Sequence, residues 1–271
     1  MKSRNRPEDG PVPGGRARTE TVALEASGVR FSYPDGLGVL RGMNLQVAAG
    51  ERVGLIGPNG AGKTTFFLTA CGILQPDAGT VRLFGDSIRP KSFHPDIGLV
   101  FQDPDDQLFS PSVWNDVAFG PQNMGLPPEE VAARVSEALT LTDTHELADR
   151  APHHLSGGEK RMVSIAGVLA MQPRVIIYDE PSASLDIRSR RRLIRFLNSA
   201  AQALLIASHD LEFVLEVCDR VVVINDGQVI VGGEPRTIMR QANLMEENGL
   251  ETPRSLEAPA QQRRMAPDEE T

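Results

Sequence analysis

Residues 52–64 read Arg52-Val53-Gly54-Leu55-Ile56-Gly57-Pro58-Asn59-Gly60-Ala61-Gly62-Lys63-Thr64, and this stretch decides the fold. Arg52 to Ile56 is a short apolar run that suits a buried strand, and it passes straight into a glycine-rich turn. A helix is predicted from Lys63 to about Ile73. Gly57 to Thr64 fit G-x-x-x-x-G-K-[ST] in the strand-to-helix setting that the motif requires. Glycines let the backbone wrap closely around phosphates with its N–H groups pointing inward, and the helix N-terminus adds positive potential. Lys63 is placed to bridge the β and γ phosphates, Thr64 to offer a hydroxyl to Mg²⁺, and Thr65 to reach the α phosphate. A site of this kind also needs a carboxylate at the end of an apolar strand. Val175-Ile176-Ile177-Tyr178-Asp179 supplies it, with Asp179 as the Mg²⁺ residue and Glu180 next to it as a general base for the attacking water.

Outward from these motifs, Thr21 to Tyr33 alternates as a strand does, and Val81 to Phe84 and Gly98 to Phe101 read as further strands. Pro104 to Pro121 is rich in Asp and Pro and is expected to be an exposed loop. From Pro127 the pattern turns helical: Val131, Val135 and Leu139 recur every four residues behind Glu129 and Glu130. A second helix is predicted from Ser156, which serves as its N-cap ahead of Met162, Ile165, Ala166 and Leu169. Strands return at Leu204 to Ala207, at Val221 to Asn225 and at Gln228 to Val231, the last two joined by the hairpin signal Asp226-Gly227. Strands separated by helices imply an α/β fold with a largely parallel sheet. Residues 1–20 are expected to be a disordered extension, because Pro7, Pro11 and Pro13 with Glu8 and Asp9 break any amphipathic helix around Arg4, Arg6, Arg16 and Arg18. Residues 241–271 are expected to be a weakly ordered polar tail.

The chain has 271 residues, 40% of them hydrophobic, which is enough for one full-sized domain with a subdomain. A net charge of −8 argues against a nucleic-acid partner, since phosphate backbones call for a basic face. Cys71 and Cys218 are too few and too far apart for a metal or disulfide framework. No apolar run approaches the roughly 20 residues that cross a bilayer.

Between the phosphate loop and Asp179 stands Leu155-Ser156-Gly157-Gly158-Glu159, which resembles the signature sequence of the ABC ATPases. The resemblance extends over roughly Val22 to Thr237, with the family's other elements in order. Gln102 resembles the Q-loop glutamine, Ser184-Leu185-Asp186 the D-loop, His209 the switch histidine, and Tyr33 the aromatic that stacks on adenine. The resemblance implies a P-loop NTPase fold over residues 21–240, with an antiparallel N-terminal β subdomain and an inserted helical subdomain at about 103–172. It implies ATP and Mg²⁺ as cofactors, with Gly57, Pro58, Asn59, Gly60, Ala61, Gly62, Lys63, Thr64, Thr65 and Tyr33 holding the nucleotide. Thr64, Gln102 and Asp179 serve the metal, and Glu180, His209, Lys63 and Gln102 the hydrolysis. The nucleotide lies between two protomers, so that Ser156, Gly157 and Gly158 of one face the phosphate loop of the other. The second protomer is an identical chain or a paralogue.

The run Val100 to Ser110, followed by Asp116-Val117-Ala118-Phe119-Gly120-Pro121, resembles the energy-coupling-factor branch, including cobalt-type importers. That implies uptake of a metal ion such as cobalt or nickel, or of a vitamin, powered from the cytoplasmic face of the membrane. A transmembrane scaffold and a separate membrane protein that binds the substrate are the implied partners. Asp103, Asp105 and Asp106 are candidates to pair with basic residues of that scaffold. The competing assignments are a soluble ABC ATPase acting on nucleic acid or the ribosome, and another importer or exporter class. The signature departs from the commoner pattern in ending on Glu159. His153 and His154 read as surface residues, the arginines of 188–192 as a solvated helix face, and Trp114 as a packing residue or a partner anchor.

Overall fold

The computed structural model describes residues 21–257. The arginine-bearing segment 1–20 and residues 258–271, both expected to be poorly ordered, lie outside the described residues. In chain order the elements are β1 (Val22–Ser32), β2 (Gly38–Ala48), β3 (Arg52–Ile56), α1 (Lys63–Ala70), β4 (Ala78–Leu83), β5 (Asp86–Ser87), β6 (Ile97–Val100) and α2 (Val113–Asn123). There follow α3 (Pro128–Leu141), α4 (Gly157–Leu169), β7 (Val175–Asp179), α5 (Ile187–Ser199), β8 (Ala203–Ala207), α6 (Leu211–Val217), β9 (Arg220–Asn225), β10 (Gln228–Gly233), α7 (Pro235–Met239) and α8 (Ala242–Glu247).

The strands form two sheets, one of six strands in the order β10-β9-β3-β8-β7-β6 and one of four in the order β2-β1-β4-β5. The central pairs β9–β3, β3–β8, β8–β7 and β7–β6 are parallel, and only β10 joins antiparallel to β9. In the smaller sheet the pairs β2–β1, β1–β4 and β4–β5 are all antiparallel. Strands of the large sheet are buried on both faces, which explains why they read as continuous apolar runs rather than alternating ones. Val53, Leu55, Val175, Ile177, Leu205 and Val222 pack with Phe66 and Phe67 of α1 and with the small sheet. Their neighbours Ile176, Tyr178, Leu204, Ile206 and Val223 enter a second core with α4, α5 and α6. The period of two along each strand thus divides one sheet between two cores. The β9–β10 turn carries positive φ at both Asp226 and Gly227, the conformation that made Asp-Gly a hairpin signal.

Two expectations require correction, and one strand has no counterpart among them. Pro104 to Pro121 is not one loop, because Val113–Asn123 forms α2. Ser112 caps it by accepting from the Asn115 N–H, Val113, Val117 and Ala118 are buried, and Pro121 falls in its last turn. The composition of the segment hid that apolar spacing. The tail from 241 is ordered as far as Glu257: Met245 and Leu256 are buried in the second core, and Ser255 donates to the Glu212 carboxylate twice, from its hydroxyl at 2.6 Å and from its backbone N–H at 2.9 Å. A few buried apolar side chains hold down a segment that is polar on average. Strand β2 pairs along β1 through a register broken by bulges, and its burial alternates regularly only from Met43 to Val47.

Helices α2, α3 and α4 occupy the segment between β6 and β7. Trp114 is partly buried against their core.

Candidate nucleotide site

Strand β3 ends at Ile56, and the next six residues turn the chain into α1. Gly57 sits where a Cβ would lie 2.1 Å from the Ile224 carbonyl oxygen, and Gly62 takes φ +101° as the helix N-cap. An L side chain at either position requires the backbone to move. Ala61 is buried, Asn59 and Gly60 are exposed, and Pro58 faces the C-terminal segment, where a Cβ on Gly249 would come within 3.5 Å of it. Lys63 is 9% exposed and its Nζ donates to the carbonyls of Gly57 at 2.8 Å and Pro58 at 3.0 Å. Burial lowers its pKa from the usual lysine range, opposed by the fields of Glu180 and Asp179.

The hydroxyl of Thr64 donates to Asp179 Oδ2 at 2.6 Å, joining the start of α1 to the end of β7. Asp179 is 5% exposed, and burial raises its carboxyl above the usual range against the hydrogen bond from Thr64. A carboxylate that stays hard to ionise by itself is favoured by a nearby cation. Glu180 is held by a left-handed backbone at φ +47°, uncommon for a residue with a side chain. Its Oε2 accepts from the backbone N–H of His209 at 3.1 Å and lies 2.7 Å from His209 Nδ1. The His209 side chain is 70% exposed at the end of β8, whereas that of Glu180 is 9% exposed. Tyr33 lies beyond the end of β1, with its hydroxyl 3.3 Å from Thr65 Oγ1 and its ring edge-on to Phe31.

A cleft of about 550 Å³ brings together Asn59, Gly60, Gly62, Lys63, Thr64, Thr65, Gln102, Asp179, Glu180 and His209. Residues so far apart in sequence meet because β3, β7 and β8 are parallel neighbours that end on one side of the sheet. Leu37 and Val39 also line this cleft and carry no motif by which the sequence announces them. The arrangement offers a cationic, N–H-rich cradle, two oxygens suited to a hard cation, and a carboxylate within reach of a water.

Ser156, Gly157 and Gly158 are not in that cleft. They open α4, where Ser156 Oγ accepts from the Glu159 N–H at 3.4 Å while Glu159 Oε2 accepts from Ser156 N–H at 2.8 Å and Oγ–H at 2.7 Å. This is a reciprocal capping box. Gly157 lines a second cleft of about 540 Å³ with Asp103, Asp105, Lys160, Arg161 and Ser184. Gln102 lines both clefts. Two of the three acids offered for a scaffold have partners within the chain: Asp103 accepts from the Asp105 N–H at 2.9 Å, and Asp105 pairs with Lys160 at 2.6 Å. Arg161, Asp116 and Gln107, unassigned by the sequence, have their polar groups turned inward. Arg161 carried the one available signal, a charge at i, i+4, i+7 with the buried Ile165 and Val168.

The family model described as "ABC transporter" matches residues 40–183. A Synechocystis sp. protein named provisionally as an ABC transporter ATP-binding protein is 54% identical over 86% of this chain and 82% of its own. The energy-coupling factor transporter ATP-binding protein EcfA of Methanothermobacter thermautotrophicus is 46% identical over 86% of this chain and 77% of its own. Among solved structures, cbiO1 of Clostridium perfringens, described as part of the ABC transporter complex cbiONQ, superposes with a TM-score of 0.72 at 37% identity, covering 84% of this chain and 94% of that one. With the phosphate loop and Leu155–Glu159 both inside the matched span, the chain belongs to the ABC transporter family, as an ATP-hydrolysing, ATP-binding subunit of the energy-coupling-factor branch.

Proposed function

We propose that this chain powers an importer of a metal ion such as cobalt or nickel, or of a vitamin, from the cytoplasmic face of the membrane, as one of two ATPase protomers. The observation that carries the reading is the division of the motifs between two clefts. The phosphate loop, Asp179, Glu180 and His209 surround one, whereas the signature residues lie outside it, at the start of α4. A second protomer completes the site by presenting the Ser156 hydroxyl and the N–H groups of Gly157 and Gly158 to the γ phosphate.

Within one protomer, the loop Gly57–Gly62 wraps the phosphates, Lys63 bridges the β and γ groups, Thr65 contacts the α group and Tyr33 stacks on adenine. A hard cation fits the Thr64 and Asp179 oxygens, which meet at 2.6 Å in a cleft whose lining, among the described residues, holds no cysteine or methionine. Thr64, Asp179 and Gln102 would hold Mg²⁺, which would supply charge neutralisation at the phosphates. Glu180 takes the proton of the attacking water, and His209 holds the base through Oε2 while facing the γ phosphate.

Among the described residues no helix is long and apolar enough to cross a membrane. The partners in this reading are a transmembrane scaffold and a separate substrate-binding membrane protein. Beside Gln102 lies a groove of about 520 Å³ lined by Phe93, Phe101, Phe109, Phe119 and Met171. Phe93, Phe109 and Phe119 are 59%, 66% and 49% exposed, the kind of apolar patch that a partner covers. This supports docking of the scaffold next to the loop that senses nucleotide.

Two measurements test the reading. Glu180→Gln is expected to keep ATP binding, lose at least about a hundredfold in hydrolysis and elute as an ATP-dependent dimer; a variant that hydrolyses normally refutes the role of Glu180. Purification from gently solubilised membranes is expected to recover a helical membrane protein and a small multi-span one, and recovery of ribosomal components alone refutes transport.

A further inference from the structure

Arg161 is 2% exposed and is the largest of the fully buried side chains. Among the described residues no carboxylate pairs with it, and Asp103 and Asp179 act on it only through space. Its guanidinium instead donates from Nη1 to the Phe101 carbonyl at 2.6 Å and from Nη2 to the Gln102 carbonyl at 2.5 Å, while Nε has no partner. A buried charge is costly, and an apolar residue of similar length would fill the same volume with less penalty. The arginine adds a rigid fork. Two bonds to consecutive carbonyls fix both the position and the tilt of the peptide that carries Gln102.

Gln102 lies between the nucleotide cleft and the cleft that holds the signature. Arg161 stands five residues after Ser156 on α4, about 7.5 Å along the helix axis. We infer that Arg161 is a positioning residue that joins the Gln102 backbone to α4 as one mechanical unit. A shift of Gln102 when a protomer binds its own nucleotide is thereby delivered to Ser156–Gly158, the segment offered to the nucleotide of the other protomer. The inference rests on the paired-protomer reading above, and it makes the two sites of a dimer cooperative through the backbone of one chain.

Other ties between this loop and α4 are poorer candidates. The Lys160–Asp105 pair has an Asp105 side chain that is 65% exposed, and exposed pairs of that kind contribute little. Gln107 donates to the Ser164 carbonyl at 2.7 Å and accepts from the Phe101 N–H at 3.4 Å, one residue short of Gln102 and farther along the helix.

The test uses the full chain carrying Glu180→Gln, with Arg161→Lys, which keeps the charge but loses the fork, and Arg161→Met, which keeps the bulk. A fluorescent ATP analogue reads affinity at the phosphate loop, and light scattering reads ATP-dependent dimerisation. The expected result is affinity within about twofold of the parent and dimerisation weakened at least about tenfold, with the Hill coefficient of hydrolysis falling towards 1 when Arg161→Lys is placed in the otherwise unaltered chain. Unchanged dimerisation and cooperativity in Arg161→Lys overturn the proposal, as does a parallel loss of affinity and dimerisation, the mark of a structural role only. If Arg161→Met does not fold, Arg161→Lys decides. If the parent itself forms no ATP-dependent dimer, the paired-protomer reading fails, and hydrogen exchange at residues 157–160 still judges Arg161. A change on adding Mg-ATP that is lost in Arg161→Lys supports the linkage, and a change that is absent in the parent or kept in Arg161→Lys overturns it.

Discussion

At the residue scale, the cleft concentrates groups that folding would sooner leave in water. Asp179 has its carboxyl raised mainly by burial, which means that the ionised form destabilises the protein. The sign follows directly. Below the ordinary carboxylate range, near pH 4 or lower, the group is protonated in both folded and unfolded chains and costs nothing. As pH rises through the raised folded value the cost appears in full. Asp179→Asn is therefore expected to raise the melting temperature at pH 7 while abolishing hydrolysis, with the gain vanishing in thermal melts at acid pH. A lower melting temperature at pH 7 would contradict this assignment of the strain.

Glu159 has the opposite environment, since hydrogen bonds from the Ser156 hydroxyl and N–H hold its carboxyl below the usual range. Glutamine keeps an oxygen for the same two bonds and removes the charge. Glu159→Gln is expected to leave thermal stability nearly unchanged and to tighten ATP-dependent dimerisation about fivefold, the scale of one screened charge lost beside a phosphate. Weaker dimerisation in that variant would place the carboxylate elsewhere than against the nucleotide.

At the element scale, the irregular segment 101–112 is organised by α2, which follows it, and by α4, through Asp116 and Arg161. Asp116, in the first turn of α2 and 8% exposed, accepts from the N–H groups of Phe109 at 3.1 Å and Ser110 at 2.9 Å. Removing it orphans two backbone donors in a half-buried loop. Asp116→Ala is expected to cost about 2 kcal/mol by chemical denaturation, with faster amide exchange at residues 109 and 110, while the affinity of the phosphate loop for ATP stays within about twofold. Equal loss of stability and nucleotide affinity would show that α2 supports the loop around Lys63 as well.

The segment from α8 to Glu257 belongs to the whole molecule, because it spans elements that meet only in the folded chain. Asn248 joins it to Asn225 of β9 at 3.3 Å, Gly249 faces Pro58 of the phosphate loop with room for little more than a methyl group between them, and Ser255 bonds Glu212 of α6, the helix that follows His209. Ending the chain at residue 240 removes the buried Met245 and Leu256, worth about 2 kcal/mol each by burial. That shortened chain is expected to melt several degrees lower and to bind ATP more weakly, since Pro58 loses its neighbour; unchanged affinity would confine the segment to a stabilising role.

The sequence alone determined the features that depend on local spacing. The glycine-rich turn between β3 and α1, the apolar strand ending in Asp179 and Glu180, the Ser156 cap and the Asp226-Gly227 hairpin each follow from the order of a few neighbouring residues, and they were enough to place the chain in its family. Only the tertiary structure decided which distant groups meet: Thr64 with Asp179, Glu180 with His209, Arg161 with the Gln102 carbonyl, and Ser255 with Glu212. It also decided that Val113–Asn123 and Ala242–Glu247 are helical despite polar or proline-rich surroundings. The reason is physical. Spacing along a chain records which backbone conformations its neighbours favour, whereas the partner of a buried charge or a lone apolar side chain is fixed by how the sheet and helices pack.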